Sequence, residues 1–117
     1  MFERGDIWLI RTPVNGRLGI KRLYAMLLGG LFGVRYDVTR ELWLVMLNRR
    51  RNRLRILHLD AYGYDLTVRI NRSGLFRVIL DESPGQKLTR AQLRELCLTG
   101  TLEEASSGLL PEAEIVS

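Results

Sequence analysis

The sequence predicts a single α+β domain, an N-terminal strand and helix followed by a four-stranded antiparallel meander and a short C-terminal helix. Three observations carry that prediction. Apolar residues recur at helical spacing between Ile20 and Leu31, the period switches to two after Leu42, and two Asx–Gly turns punctuate the region that follows. A chain of 117 residues is long enough for one core of ordinary size and short for two. The domain is expected over residues 1–102, with an acidic, flexible tail over 103–117.

The first element is a strand over Ile7 to Ile10, an apolar and aromatic run that Thr12-Pro13 stops. A helix is expected to begin at Asn15 or Gly16. Ile20, Leu23, Tyr24, Leu27, Leu28 and Leu31 share one of its faces, and Gly29-Gly30 ends it. Four strands follow, near 42–47, 53–59, 64–70 and 75–80. Their turns, Asp60-Ala61-Tyr62-Gly63 and Asn71-Arg72-Ser73-Gly74, have the form of a type I turn closed by a left-handed glycine bulge.

That turn type sets a register in which Asp60 faces Tyr64 and Asn71 faces Leu75. One sheet face then collects Leu54, Ile56 and His58, Leu66, Val68 and Ile70, and Phe76, Val78 and Leu80, with Leu42, Leu44 and Met46 joining them. The opposite face carries Arg55, Arg69 and Arg77 as cross-strand neighbours, among Trp43, Val45, Leu57 and Ile79. Like charges set side by side call for a neutralising partner. The last helix has a stated start: Thr89 caps, Gln92 completes a capping box, Leu88 staples against Leu93, and Gly100 terminates it.

Charge narrows the function. Of 18 cations 16 are arginine, with 15 cations against 7 acids through Asp81 and 3 against 6 beyond it. A basic body with an acidic end favours a polyanionic partner. The densest run is Arg49-Arg50-Arg51-Asn52-Arg53-Leu54-Arg55, at a hairpin tip and the start of a strand. Guanidinium is permanently charged and matches two phosphate oxygens at once, so this run reads as a phosphate clamp that Arg55, Arg69 and Arg77 extend across the sheet. The plainer readings are a solubilising loop tip and an acidic protein surface as partner, the chain's own tail included.

Catalytic and metal signals are weak. His58 is the single histidine and falls on the predicted apolar face, and Cys97 reads as a small core residue; together they cannot make a zinc site. Asp60, Asp65 and Asp81 gather at one sheet end in the bulged register, which keeps a metal-dependent nuclease as the lesser alternative. The glycines do not fit a nucleotide-binding loop, and no cofactor is expected. The longest weakly polar run, Leu23 to Val34, is shorter than the roughly 20 residues of a spanning helix. With an N-terminus unlike a signal peptide and one cysteine, the expected location is the cytoplasm.

Taken together, Ile7-Trp8-Leu9, Arg17 and Gly19, the run Asn48 to Leu57, Asp60, Gly63, Leu66, Arg69, Gly74, Phe76, Leu88-Thr89, Gln92-Leu93 and Gly100 resemble a known family. It is the small TnpB-type accessory protein, the second reading frame, of the insertion sequence sixty-six family of bacterial transposable elements. Where that family has Asp-Met-Arg-Lys-Gly, this chain has Asn15-Gly16-Arg17-Leu18-Gly19. Where the family has Trp-Asp before the glycine turn, it has Leu59-Asp60. The resemblance implies a non-enzymatic accessory role in transposition, beside a separate transposase that performs the strand chemistry. The expected partners are DNA, gripped by Arg49, Arg50, Arg51, Arg53, Arg55, Arg69, Arg77 and Arg17, and the element's transposase. Alternatively the chain is a protein-interaction adaptor whose Trp43, Val45, Leu57 and Ile79 face docks the transposase or a second copy.

Overall fold

In the computed structural model, which describes residues 5–72 and 74–102, the chain runs β1 (Asp6–Leu9), α1 (Ile20–Leu28), β2 (Leu42–Leu47), β3 (Arg53–Leu59), β4 (Tyr64–Ile70), β5 (Gln86–Leu88) and α2 (Arg90–Thr99). The α+β class holds, with the N-terminal strand, the C-terminal helix and the first three meander strands where the sequence places them, while β5 is a strand the sequence does not predict. The expected tail over 103–117 lies outside the described residues. The strands form one mixed sheet in the order β4-β3-β2-β1-β5. β1 runs parallel to β2, the arrangement that a connection through a helix allows, and every other pair is antiparallel.

The central strand explains the layering. All six residues of β2, Leu-Trp-Leu-Val-Met-Leu, are apolar and buried, as a strand covered on both faces demands. α1 sets Leu23 and Leu27 against Leu42, Leu44, Met46, Leu57 and Leu59 on one face. α2 sets Leu93 and Leu96 against Trp43, Val45, Leu54 and Ile56 on the other. The sheet therefore has two cores, and the expected single apolar face opposite an arginine face does not form.

The register is the cause. Leu59, not Asp60, pairs with Tyr64, and Leu57 pairs with Leu66 where the bulged turn would set Ile56 or His58 beside the apolar residues of β4. Asp60 N–H donates to the Gly63 carbonyl at 2.9 Å, and Asp60 Oδ1 accepts from the Tyr62 and Gly63 amides. Gly63 has no positive φ, so the loop closes over four residues without a bulge. One residue of slip moves every side chain to the other face.

The fourth meander strand also departs from expectation. Phe76 and Val78 are buried and Leu75 and Ile79 exposed, so the predicted alternation is present. The segment nevertheless leaves β4: Phe76 N–H donates to the Arg51 carbonyl at 2.7 Å, and Arg77 forms an isolated parallel bridge with Thr101. Its inward residues pack into the α2-side core, which they complete.

α1 starts later than predicted. Gly19 is its N-cap, and Asn15–Leu18 form a turn in which Asn15 Oδ1 accepts from the Arg17 amide at 2.9 Å. Asn15 thus bonds its own backbone two residues on, which competes with helix. Leu28 and Leu31, expected on the buried face, are exposed at 56% and 71%. α2 matches in detail, with a complete Thr89–Gln92 capping box and Gly100 in the left-handed conformation. Thr89→Ala should lower stability by about 1 kcal/mol, read as a shift in the denaturant midpoint at constant slope.

Candidate functional site

Beyond β1 the chain continues alongside β2: Ile10 N–H donates to the Val45 carbonyl at 2.8 Å and Val14 N–H to the Leu47 carbonyl at 2.9 Å. This carries Asn15, Gly16 and Arg17 to the tip of the β2–β3 hairpin. There they form one wall of a groove of about 600 Å³ whose other wall is Asn48, Arg49, Arg50, Asn52 and Arg53. Four of the arginines singled out in the sequence, Arg17, Arg49, Arg50 and Arg53, are thus brought together from separate segments. All four are exposed, and no carboxylate among the described residues pairs with them.

The hairpin tip is built by its asparagines. Asn48 Oδ1 accepts from the Asn52 and Arg53 amides at 3.1 Å each, and Asn48 Nδ2 donates to Asn52 Oδ1 at 2.6 Å. Arg51 sits at φ 59°, a conformation that costs a non-glycine residue on the order of 1–2 kcal/mol. It is held by its amide bond to the Asn48 carbonyl and by its carbonyl's bond from Phe76. Asn48 and Asn52 bracket the arginine run in the sequence, a signal for an Asx-closed loop that the arginines overshadow.

Arg55 is not part of a surface row. It is 3% exposed, on the α1 side of the sheet, and donates to the Leu18 carbonyl at 2.6 Å and the Asn15 carbonyl at 2.7 Å. Burial and the nearby Arg53 charge both lower its pKa. Those two carbonyls flank Arg17, so Arg55 ties one wall of the groove to the strand that leads out of the other. Arg69 lies on the α2 side, where its Nε donates to the Cys97 carbonyl. Arg77 is exposed in the segment after β4. The predicted row of Arg55, Arg69 and Arg77 is dispersed by the same one-residue slip, together with the departure of residues 75–80. Cys97 is half-buried against the core, and burial raises its pKa.

A second polar cluster surrounds His58. Its ring stacks on Trp43 at 3.7 Å, Nε2 bonds Glu41 at 2.5 Å and Nδ1 bonds Asp65 at 3.1 Å. The register pairs it with Trp43 and Asp65, so, contrary to the sequence expectation, it does not share a face with Leu42 and Leu66. Glu41, His58 and Asp60 offer ligand atoms within 4.8 Å of one another. Both histidine nitrogens are already bonded, and Asp60 Oδ1 is occupied by its turn. Asp65 faces His58 and not Asp81, whose amide bonds the Arg11 carbonyl, so the acidic trio expected for a metal nuclease does not assemble.

Burial pulls the His58 pKa down, but the Glu41 and Asp65 hydrogen bonds and charges outweigh it and leave the pKa raised. A raised folded-state pKa gives stability that is fully present below the ordinary histidine range and is lost as pH rises through the folded value. With one histidine in the chain, an NMR titration reads it directly. Glu41→Gln should move that midpoint down and reduce the loss of stability on the alkaline side.

The fold and groove define a mixed-sheet protein that gathers four arginines around one groove beside a hairpin. Among the described residues no helix is long and apolar enough to cross a membrane. The family model described as IS66 Orf2 like protein matches residues 5–106, and the chain belongs to that family. The resemblance read from the arginine hairpin and the glycine turns is thereby established, and with it an accessory role in an insertion sequence. No match was found among the curated proteins or among the solved structures.

Proposed function

We propose that this accessory protein acts by binding nucleic-acid phosphates in the groove between Asn15–Arg17 and the 48–53 hairpin, and not by catalysis. The observation that carries the reading is the convergence of Arg17, Arg49, Arg50 and Arg53, exposed, around one open groove. Arginine and asparagine hold phosphate oxygens by charge and by N–H donation, while guanidinium keeps its proton at any physiological pH. Such contacts give affinity and orientation without sequence choice. DNA of the element's ends is the natural ligand for an insertion-sequence protein.

The adaptor reading loses its original surface. Trp43, Val45 and Leu57 are buried under the chain's own helices, and of that group only Ile79 is exposed. A transposase contact would have to use another face.

The experiment is a salt-titrated binding assay with duplex DNA, RNA and purified transposase side by side. Four phosphate contacts correspond to about a hundredfold loss of affinity between 50 and 200 mM salt. Binding to DNA that is indifferent to salt, or a transposase complex formed in the absence of any DNA affinity, would overturn the proposal.

A further inference from the structure

The two edges of the sheet are treated differently. β5 is three residues long, and its central Lys87 pairs with Asp6 at 3.6 Å. Short, lysine-bearing edges resist pairing with other chains. β4 is seven residues long and terminal in the sheet, and no strand among the described residues pairs with its outer side. Every one of its residues except half-buried Leu66 is exposed, with Val68 at 49% and Ile70 at 62%. A long, exposed edge of this kind presents free backbone N–H and C=O groups to a partner strand.

The sequence of β4 says which partner. Laid antiparallel against a second copy of itself about Thr67, Tyr-Asp-Leu-Thr-Val-Arg-Ile pairs Tyr64 with Ile70, Asp65 with Arg69, Leu66 with Val68, and Thr67 with Thr67. Aromatic with β-branched, opposite charges and threonine with threonine are the cross-strand pairs that stabilise antiparallel sheets. Shifting the register by one or two residues in either direction separates Asp65 from Arg69 and leaves end residues without partners. The match is also isologous, Thr67 lying on the two-fold axis and each of the other pairs occurring twice about it, as a closed dimer requires.

We infer that the chain forms a two-fold homodimer through β4–β4 pairing in this register, joining two five-stranded sheets into one of ten strands. The inference goes beyond the phosphate reading and stands independently of it, because the groove is built from the 13–17 segment and the 48–53 hairpin.

The test is sedimentation of the full chain, without nucleic acid, over a concentration series. The native chain should be dimeric. Asp65→Arg puts arginine at both ends of the charged pair and Arg69→Asp puts aspartate at both, so each variant alone should dimerise at least about tenfold more weakly. An equimolar mixture of the two should restore a heterodimer, because both 65–69 pairs are then of opposite charge. Asp65 also bonds His58 and Arg69 the Cys97 carbonyl, so a second variant is independent of both. Thr67→Cys with Cys97→Ser should give a disulfide-linked dimer on mild oxidation, since directly opposite Cα atoms at about 4.5–5.5 Å are within disulfide reach. A chain that is monomeric throughout, or a dimer that neither charge variant weakens and that does not cross-link at position 67, would overturn the inference.

Discussion

Replacing Arg55 with leucine should remove about 3 kcal/mol of stability, because it deletes two charge-assisted hydrogen bonds to part-buried carbonyls, each worth on the order of 1.5–3 kcal/mol. For a chain of this size that is a fall of roughly 10–15 °C in the unfolding midpoint. The guanidinium reaches the Asn15 and Leu18 carbonyls with two separate nitrogens, a geometry that lysine cannot reproduce from a single ammonium. Arg55→Lys should therefore recover part of the loss and no more. Loosening Asn15–Leu18 also frees Arg17 from its place across the groove, so Arg55→Leu should weaken nucleic-acid binding although Arg55 faces no ligand. A variant that melts within about 0.5 kcal/mol of the native chain would contradict this role.

The second large effect separates binding from folding. Arg17, Arg49, Arg50 and Arg53 are exposed, and their guanidinium groups donate to no buried acceptor among the described residues. Converting all four to glutamine should reduce the slope of log affinity against log salt by about 3–4, with each change altering stability by no more than about 0.5 kcal/mol. Arg51 is left in place, since its left-handed backbone and its carbonyl bond to Phe76 make it part of the scaffold. An unchanged slope in a folded quadruple variant would show that phosphates are held elsewhere. The two experiments are complementary: the Arg55 change should be visible in both stability and binding, the groove changes in binding alone.

Much of the fold is legible in the sequence because it rests on local chemistry. The Thr89–Gln92 box and Gly100 delimit α2 through contacts within a few residues, and β2, β3 and β4 are bounded by asparagine, aspartate and glycine turns. The register is different in kind. Type I turns with and without a glycine bulge share one sequence signature, and Gly63 resolves between them only in the folded hairpin. A second signal was present and pointed the right way: six uninterrupted apolar residues from Leu42 to Leu47 cannot serve a strand with one solvated face. Read together with the turns, that run argues for cores on both sides and against an arginine face.

The candidate site divides along the same line. The arginine run at 49–53 is visible as composition, and its place at a hairpin tip follows from the strands around it. That Arg17 joins it, and that Arg55 turns inward to hold Arg17's loop, depends on the parallel pairing of β1 with β2 and its extension through Val14 to the Leu47 carbonyl. By itself the sequence determined β1 to β4, α2 with its caps, the charge and the family, since each is a property of neighbours along the chain. Only the tertiary structure decided which arginines meet. Facing is set by parity along a strand, so one residue of slip left Arg55 in the interior, Arg69 beside α2, and the groove at the hairpin.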